Sequence, residues 1–255
     1  MAITVKSKEQ IKIMKEGGRI TAGALKAVLA RVAVGVTTAE LDKIAEEFII
    51  SSGGEPAFKR VPGYKFATCL NLNEGVVHGL PSKQKLKEGD ILSVDLGTYY
   101  KGLNTDVSWT VYVGDENQAL SSKLQFLEVG EKALWVAIDQ CRIGKAVGDI
   151  SAAMEKILRG AGYSPVETLV GHGVGEKLHE EPQIPCVASP YKGVELKEGM
   201  TLATEVIYTA GKPALKLLPD NWTFVTADDS LAGLFEHTVA VSPTGPIVLT
   251  AWKVI

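Results

Sequence analysis

The segment Leu86-Lys-Glu-Gly-Asp-Ile-Leu-Ser-Val-Asp-Leu-Gly-Thr-Tyr-Tyr-Lys-Gly-Leu-Asn-Thr-Asp-Val-Ser-Trp-Thr-Val-Tyr-Val113 reads as two strands joined by a turn, with one aspartate in each strand. From Thr105 to Val113 the residues alternate. Val107, Trp109, Val111 and Val113 share one face, and Asp106, Ser108, Thr110 and Tyr112 share the other. Asp95 closes an apolar run, Ile91–Leu96, that reads as buried on both faces. Tyr100-Lys-Gly-Leu-Asn104 has the chemistry of a tight turn, so Asp95 and Asp106 are expected on neighbouring antiparallel strands. A buried ionised carboxylate is costly unless it is paired or bound to a metal. Two of them side by side call for a cation.

The first strand of this pair has an echo. Leu86-Lys-Glu-Gly-Asp-Ile-Leu-Ser-Val-Asp95 returns about 110 residues later as Leu196-Lys-Glu-Gly-Met-Thr-Leu-Ala-Thr-Glu205. Val34-Gly35, a helix and Pro56 return at nearly the same interval as Ile143-Gly144, a helix and Pro165. Two matched half-domains follow, at about 10–120 and 121–255, within a single domain spanning 1–255. The match sets Glu205 where Asp95 stands in the first half.

Helices flank these strands. Ser7-x-x-Gln10 and Thr37-x-x-Glu40 resemble capping boxes, opening one helix that runs to about Val32 and a second that stops before Gly53-Gly54. Gly17-Gly18 interrupts the first pattern. A third helix is expected from Ser121 to Cys141, and further strands at Phe66–Leu70, Gly75–His78, Thr223–Thr226, Leu234–Ser242 and Ile247–Ala251. The fold class is α+β.

The chain has 255 residues, 45% of them hydrophobic, enough for a sizeable core. Its net charge of -3 gives no electrostatic reason to expect nucleic-acid binding. No apolar run approaches a membrane span, and a cytoplasmic location is expected. Three widely spaced cysteines, Cys69, Cys141 and Cys186, suggest neither a disulfide framework nor a zinc ribbon.

Four histidines occur: His78, His172, His179 and His237. Glycines on both sides of His172 allow its backbone to approach another element closely. Glu205 and Glu236 add two acids in strand-like surroundings. Alternation puts Glu236 and Thr238 on one face and His237 on the other, which removes His237 from the candidates. Asp95, Asp106, His172, Glu205 and Glu236 then make an oxygen-rich set with one imidazole, suited to a pair of divalent ions bridged by carboxylates. The bland reading, acids at strand ends paired with lysines, explains one such residue better than four.

With these residues assembled, the chain resembles the type I methionine aminopeptidases, the short bacterial form of the pita-bread metallopeptidases, from Ile11 to Leu249. Asn73-Glu-Gly-Val-Val-His-Gly79, Asn104-Thr-Asp106, Gly171-His-Gly-Val-Gly175, His179-Glu-Glu-Pro182 and Phe235-Glu-His-Thr238 carry the resemblance. It implies a pita-bread fold, a curved antiparallel sheet with pseudo-twofold duplicated halves covered by helices. It implies two divalent ions (Co, Mn, Fe, Ni or Zn) on Asp95, Asp106, His172, Glu205 and Glu236, with Asp106 and Glu236 bridging. His78 and His179 would handle the substrate, and Tyr64, Cys69 and Trp222 would line a methionine pocket. Without the family, Cys69 and Trp222 read as ordinary core.

The implied activity is removal of N-terminal methionine from nascent chains whose second residue is small, by a monomer that associates with the ribosome. Val206 after Glu205, Pro62 before Tyr64 and Leu178 before His179 depart from the family pattern and bear on pocket shape. A prolidase or proline-directed aminopeptidase is the nearest rival, and a non-catalytic peptide- or ribosome-binding homologue is the other. The filled ligand set weighs against the second.

Overall fold

In the computed structural model, which describes residues 3–252, helix α1 (Lys8–Leu29) starts at Ser7. Ser7 and Gln10 each accept the other's backbone N–H, so two otherwise unmatched donors are satisfied. The helix runs through Gly17-Gly18 without a break. A Cβ on Gly18 would sit 2.2 Å from the Leu249 carbonyl oxygen, so the missing side chain is what lets α1 lie against the end of the chain. The helix stops short of Val32 because the N–H groups of Arg31 and Val32 turn back to Val28 and Leu29, tightening the last turn. Helix α2 (Thr38–Ser51) opens on the matching Thr37–Glu40 box.

Strands β1 (Glu55–Pro56), β2 (Thr68–Leu72), β3 (Gly75–Val77), β4 (Ile91–Tyr100) and β5 (Leu103–Tyr112) complete the first half. β2 begins two residues later than its apolar pattern suggests. The backbone N–H groups of Ala67 and Thr68 are taken by the Asp42 carboxylate, so ladder pairing with β4 starts only at Thr68. The turn between β4 and β5 is Lys101-Gly102, both at positive φ, a two-residue hairpin whose twist matches that of its strands.

The second half holds helices α3 (Ser121–Asp139) and α4 (Val147–Gly160), then β6 (Ser164–Pro165), β7 (Val170–Gly173), β8 (Glu180–Pro185) and β9 (Thr201–Thr209). The chain closes with β10 (Leu215–Leu217), β11 (Phe224–Thr226), β12 (Ala232–Ser242) and β13 (Gly245–Val248). The last of these starts before Ile247 and does not reach Ala251.

Antiparallel pairing joins β1-β4-β5-β12-β9-β7-β8 into one sheet, with β2 on β4, β6 on β9 and β13 on β12; β10, β11 and β3 form a small second sheet. Helix α1 packs over β4 and β5, and α3 packs over β9 and β12. This is an α+β fold with antiparallel sheets flanked by helices. Segments matched in sequence take matched pairings: Thr37 bridges Lys85 as Ala146 bridges Glu195, and Pro56 pairs with Thr98 as Pro165 pairs with Tyr208.

In the large sheet, β5 adjoins β12. There the Thr110 hydroxyl accepts from the Leu234 N–H and donates to its carbonyl, and the Thr238 hydroxyl does the same to Asp106. The two threonines thus hold the seam reciprocally. On its helix-facing side the ring of His237 lies among Trp109 and Trp135, with Nδ1 3.0 Å from the Thr250 hydroxyl. Among the described residues no helix is long and apolar enough to cross a membrane.

Candidate metal centre

Register brings the acids together. Cys69, Asp95, Ser108, Glu236 and Glu205 stand opposite one another in a single row across β2, β4, β5, β12 and β9. Asp106 lies two residues along β5 from Ser108, on the same face, and His172 on β7 stands opposite Ala203, two residues before Glu205. Because side chains alternate along a strand, these steps of two keep all five candidate ligands on one face. Asp95 and Asp106 are therefore diagonal neighbours on adjacent strands.

The neighbouring glycines explain how His172 gets so close. A Cβ on Gly171 would meet the Ala203 carbonyl oxygen at 2.7 Å, and one on Gly173 would meet that of Glu181 at 2.3 Å. His172 Nδ1 lies 2.9 Å from the Gly173 carbonyl oxygen, which can only accept. That bond places the proton on Nδ1 and leaves the Nε2 lone pair facing the acids, with Glu205 Oε1 3.8 Å away. Donor atoms of Asp106, His172 and Glu236 all lie within 4.8 Å of one another.

Electrostatics make the cluster unfavourable without a cation. Burial pushes the carboxyl of Asp106 up to about 7. Burial, then the charges of Asp106 and Glu205, raise Asp95 well above the carboxylate range, and burial and Asp106 do the same to Glu205 and Glu236. Burial also holds His172 neutral, lowering it to about 3. Oε1 of Glu236 is buried and has no hydrogen-bond partner. A neutral imidazole, four crowded carboxyl groups and one orphaned oxygen fit a divalent cation.

All ten residues singled out in the sequence line one cavity of about 290 Å³: Tyr64, Cys69, His78, Asp95, Asp106, His172, His179, Glu205, Trp222 and Glu236. The acids form its floor. Phe58, Val61 and Leu178 join Tyr64 and Trp222 in an apolar wall, where the Tyr64 and Trp222 rings meet edge to face at 5.0 Å. The Tyr64 hydroxyl donates to the Thr68 carbonyl and lies 3.1 Å from Cys69 Sγ.

His78 does not belong to β3 as its apolar neighbours suggest. It sits just past the strand in the left-handed region, at φ 59°. His179 precedes β8, its ring 4.5 Å from that of His172, and burial lowers its proton affinity. Val206 leaves β9 unbroken, paired with Phe235 on the far face.

The sequence profile of metallopeptidase family M24 matches residues 12–243. The chain belongs to metallopeptidase family M24. Within M24 it groups with the methionine aminopeptidases. It is 40% identical to methionine aminopeptidase 1 of Bacillus subtilis (strain 168) over 248 residues, 97% of this chain and 99% of that one. The crystal structure of a methionine aminopeptidase from Thermotoga maritima has a TM-score of 0.94 at 38% identity, covering 98% of this chain and 99% of that one. A prolidase from Pyrococcus furiosus has a TM-score of 0.77 at 24% identity, with 66% of its length covered, a likeness of fold alone.

Some residues of the cavity gave no signal in the sequence. Thr168, Leu169, Val170, Ile207 and Leu234 also line the cavity, and Asp42 supports its wall from α2. Such residues look like any half-buried loop or strand position until the chain is folded. Thr238 was visible on the Glu236 face, but its grip on Asp106 depends on the pairing of β12 with β5.

Proposed function

We propose that this chain removes the N-terminal methionine from peptides and nascent proteins whose second residue is small, by metal-dependent hydrolysis with two divalent ions. One observation carries the reading: a row of buried acids and an apolar pocket wall share a single cavity. The substrate class follows the relatives, whose lengths this chain matches almost fully. Asp95, Asp106, His172, Glu205 and Glu236 would hold the ions. When bound, such ions polarise a carbonyl and make water acidic enough to ionise near neutral pH.

The chain's own groups supply the rest. Glu205 takes the proton from the attacking water; burial gives it the proton affinity of a base, and a nearby cation tempers that affinity. His179, whose proton affinity is lowered by desolvation at the cavity, donates an N–H to the oxyanion that develops on the scissile carbonyl. His78, half-buried, with its proton affinity lowered by desolvation and by the neighbouring His179, contacts the scissile amide or the group after it. Tyr64, Cys69 and Trp222 pack around the methionine side chain.

The single domain, with halves at about 10–120 and 121–255, is read as one catalytic unit. A monomer in the cytoplasm, meeting nascent chains at the ribosome, fits that reading, as do three buried free cysteines. The test is turnover of Met-Ala-x peptides by metal-stripped protein titrated with Mn, Fe, Co, Ni or Zn, with metal content measured in parallel. Release of methionine in proportion to bound metal is expected. Cleavage of Xaa-Pro dipeptides in its place would transfer the reading to the prolidase type, and bound metal with no turnover to a binding protein.

A further inference from the structure

Lys6 lies outside every element of the fold, yet its side chain is almost fully buried. Its Nζ meets the Glu180 carboxylate at 2.5 Å, with 3% of the lysine side chain and 8% of the glutamate side chain exposed. Glu180 follows His179 directly. Its carboxylate also accepts from the Thr4 hydroxyl and from the Lys177 N–H, so it collects three donors, two of them from the N-terminal arm. Desolvation opposes ionisation here, but the hydrogen bonds from Lys6, Thr4 and Lys177 and the Lys6 charge hold the Glu180 pKa below its usual range. The arm itself is fixed by the Lys6 N–H, which donates to the Gly199 carbonyl at 2.8 Å.

The same lysine stem reaches the turn that leads to His179. A Cβ on Gly175 would lie 2.2 Å from Lys6 Cε, so glycine there makes room for the buried stem. From the other side, Asn104 of β5 binds the Gly175 carbonyl through both its backbone N–H and its side-chain amide. The turn between β7 and β8 is thus clamped between β5 and the N-terminal arm. Among the described residues the His179 ring makes no hydrogen bond of its own, so its direction is set by the backbone that carries it. A buried ion pair rarely adds stability over an apolar substitute, and its best-attested use is to fix one arrangement.

We propose that Lys6, acting through Glu180, is a positioning residue that holds His179 in register with the scissile carbonyl. This rests on the reading of His179 as an oxyanion donor. Displacing a catalytic group by about 1 Å can cost up to a hundredfold in rate, so Lys6→Met is expected to lower kcat by about tenfold or more, with KM and metal content little changed.

The experiment is a double-mutant cycle of Lys6→Met and His179→Ala on Met-Ala-x peptides, with circular dichroism to confirm folding and metal content measured for each protein. If Lys6 acts through His179, Lys6→Met lowers kcat in the parent and has no further effect when His179→Ala is present. Equal kcat losses in both backgrounds, or a lower melting temperature with kcat intact, would overturn the proposal and leave the pair purely structural. Glu180→Gln keeps an acceptor for Lys177 while removing the charge. It is read by the same criteria and decides the matter if Lys6→Met does not fold. Should His179→Ala alone leave kcat unchanged, the oxyanion reading fails first, a result separate from any effect of Lys6.

Discussion

Asp42→Ala is expected to destabilise the protein by about 2–4 kcal/mol and to loosen the apolar wall of the cavity. One oxygen of Asp42 accepts from the Ala67 N–H, the Thr68 N–H and the Thr68 hydroxyl, all at 2.8–2.9 Å. Ala67 and Thr68 are fully buried, so no surface water can replace the lost acceptor in place. Each stranded buried donor costs roughly 1–3 kcal/mol. Part returns because the alanine no longer has to bury a carboxyl group, and burial of Asp42 outweighs its hydrogen bonds, raising its pKa.

Asp42→Asn keeps an acceptor oxygen without the charge and is expected to lose about 1 kcal/mol or less. Urea unfolding followed by circular dichroism measures both, with an unchanged m-value licensing the comparison. The Tyr64 hydroxyl donates to the Thr68 carbonyl, so the alanine variant should also raise KM for methionyl peptides more than it lowers kcat. A loss below about 1 kcal/mol for Asp42→Ala, or equal losses for alanine and asparagine, would refute the idea that this one acceptor anchors the wall.

Asp106→Ala and Glu236→Ala should each abolish turnover and lower the metal bound per chain; near-parental activity with metal still fully bound would remove both from the proposed ligand set. The metal-free protein should lose stability as pH rises from about 4 to about 7, because the folded state keeps protons on Asp106 that the unfolded chain has released. Metal should therefore raise the melting temperature more at about pH 7.5 than at about pH 5, and scanning calorimetry showing equal shifts would contradict the arrangement of buried acids. Leu178 lies in the cavity wall, and Leu178→Phe should narrow the tolerance for norleucine at the first position and for a valine at the second. Identical kcat/KM ratios for Met-Ala, Met-Val and norleucine-Ala peptides in the two proteins would show that Leu178 does not shape the pocket.

Much of the site was legible because its chemistry is extreme. Aspartate in the middle of an apolar strand is costly, and period-two alternation alone assigns Asp106 and Glu236 to faces and turns His237 away from them. The hairpin at Lys101-Gly102 was legible for a similar reason, since few sequences can adopt two consecutive positive φ angles. The capping boxes at Ser7 and Thr37 were written in the residues that form them. The internal repeat tied Glu205 to the place of Asp95.

Tertiary structure decided what depends on partners distant in the chain. Strand β2 starts at Thr68 because a carboxylate on α2 takes the preceding donors, a competition no local pattern records. Helix α1 passes through Gly17-Gly18 because a carbonyl some 230 residues away needs the space, and a glycine read locally signals only a weak helix. His78 leaves its strand to adopt a left-handed backbone, although the run before it is apolar. Periodicity reports the face a side chain occupies, not which strand lies beside it. The row from Cys69 to Glu205 and the clamp of Lys6 on Glu180 therefore exist only once strands distant in the chain and the N-terminal arm are in register.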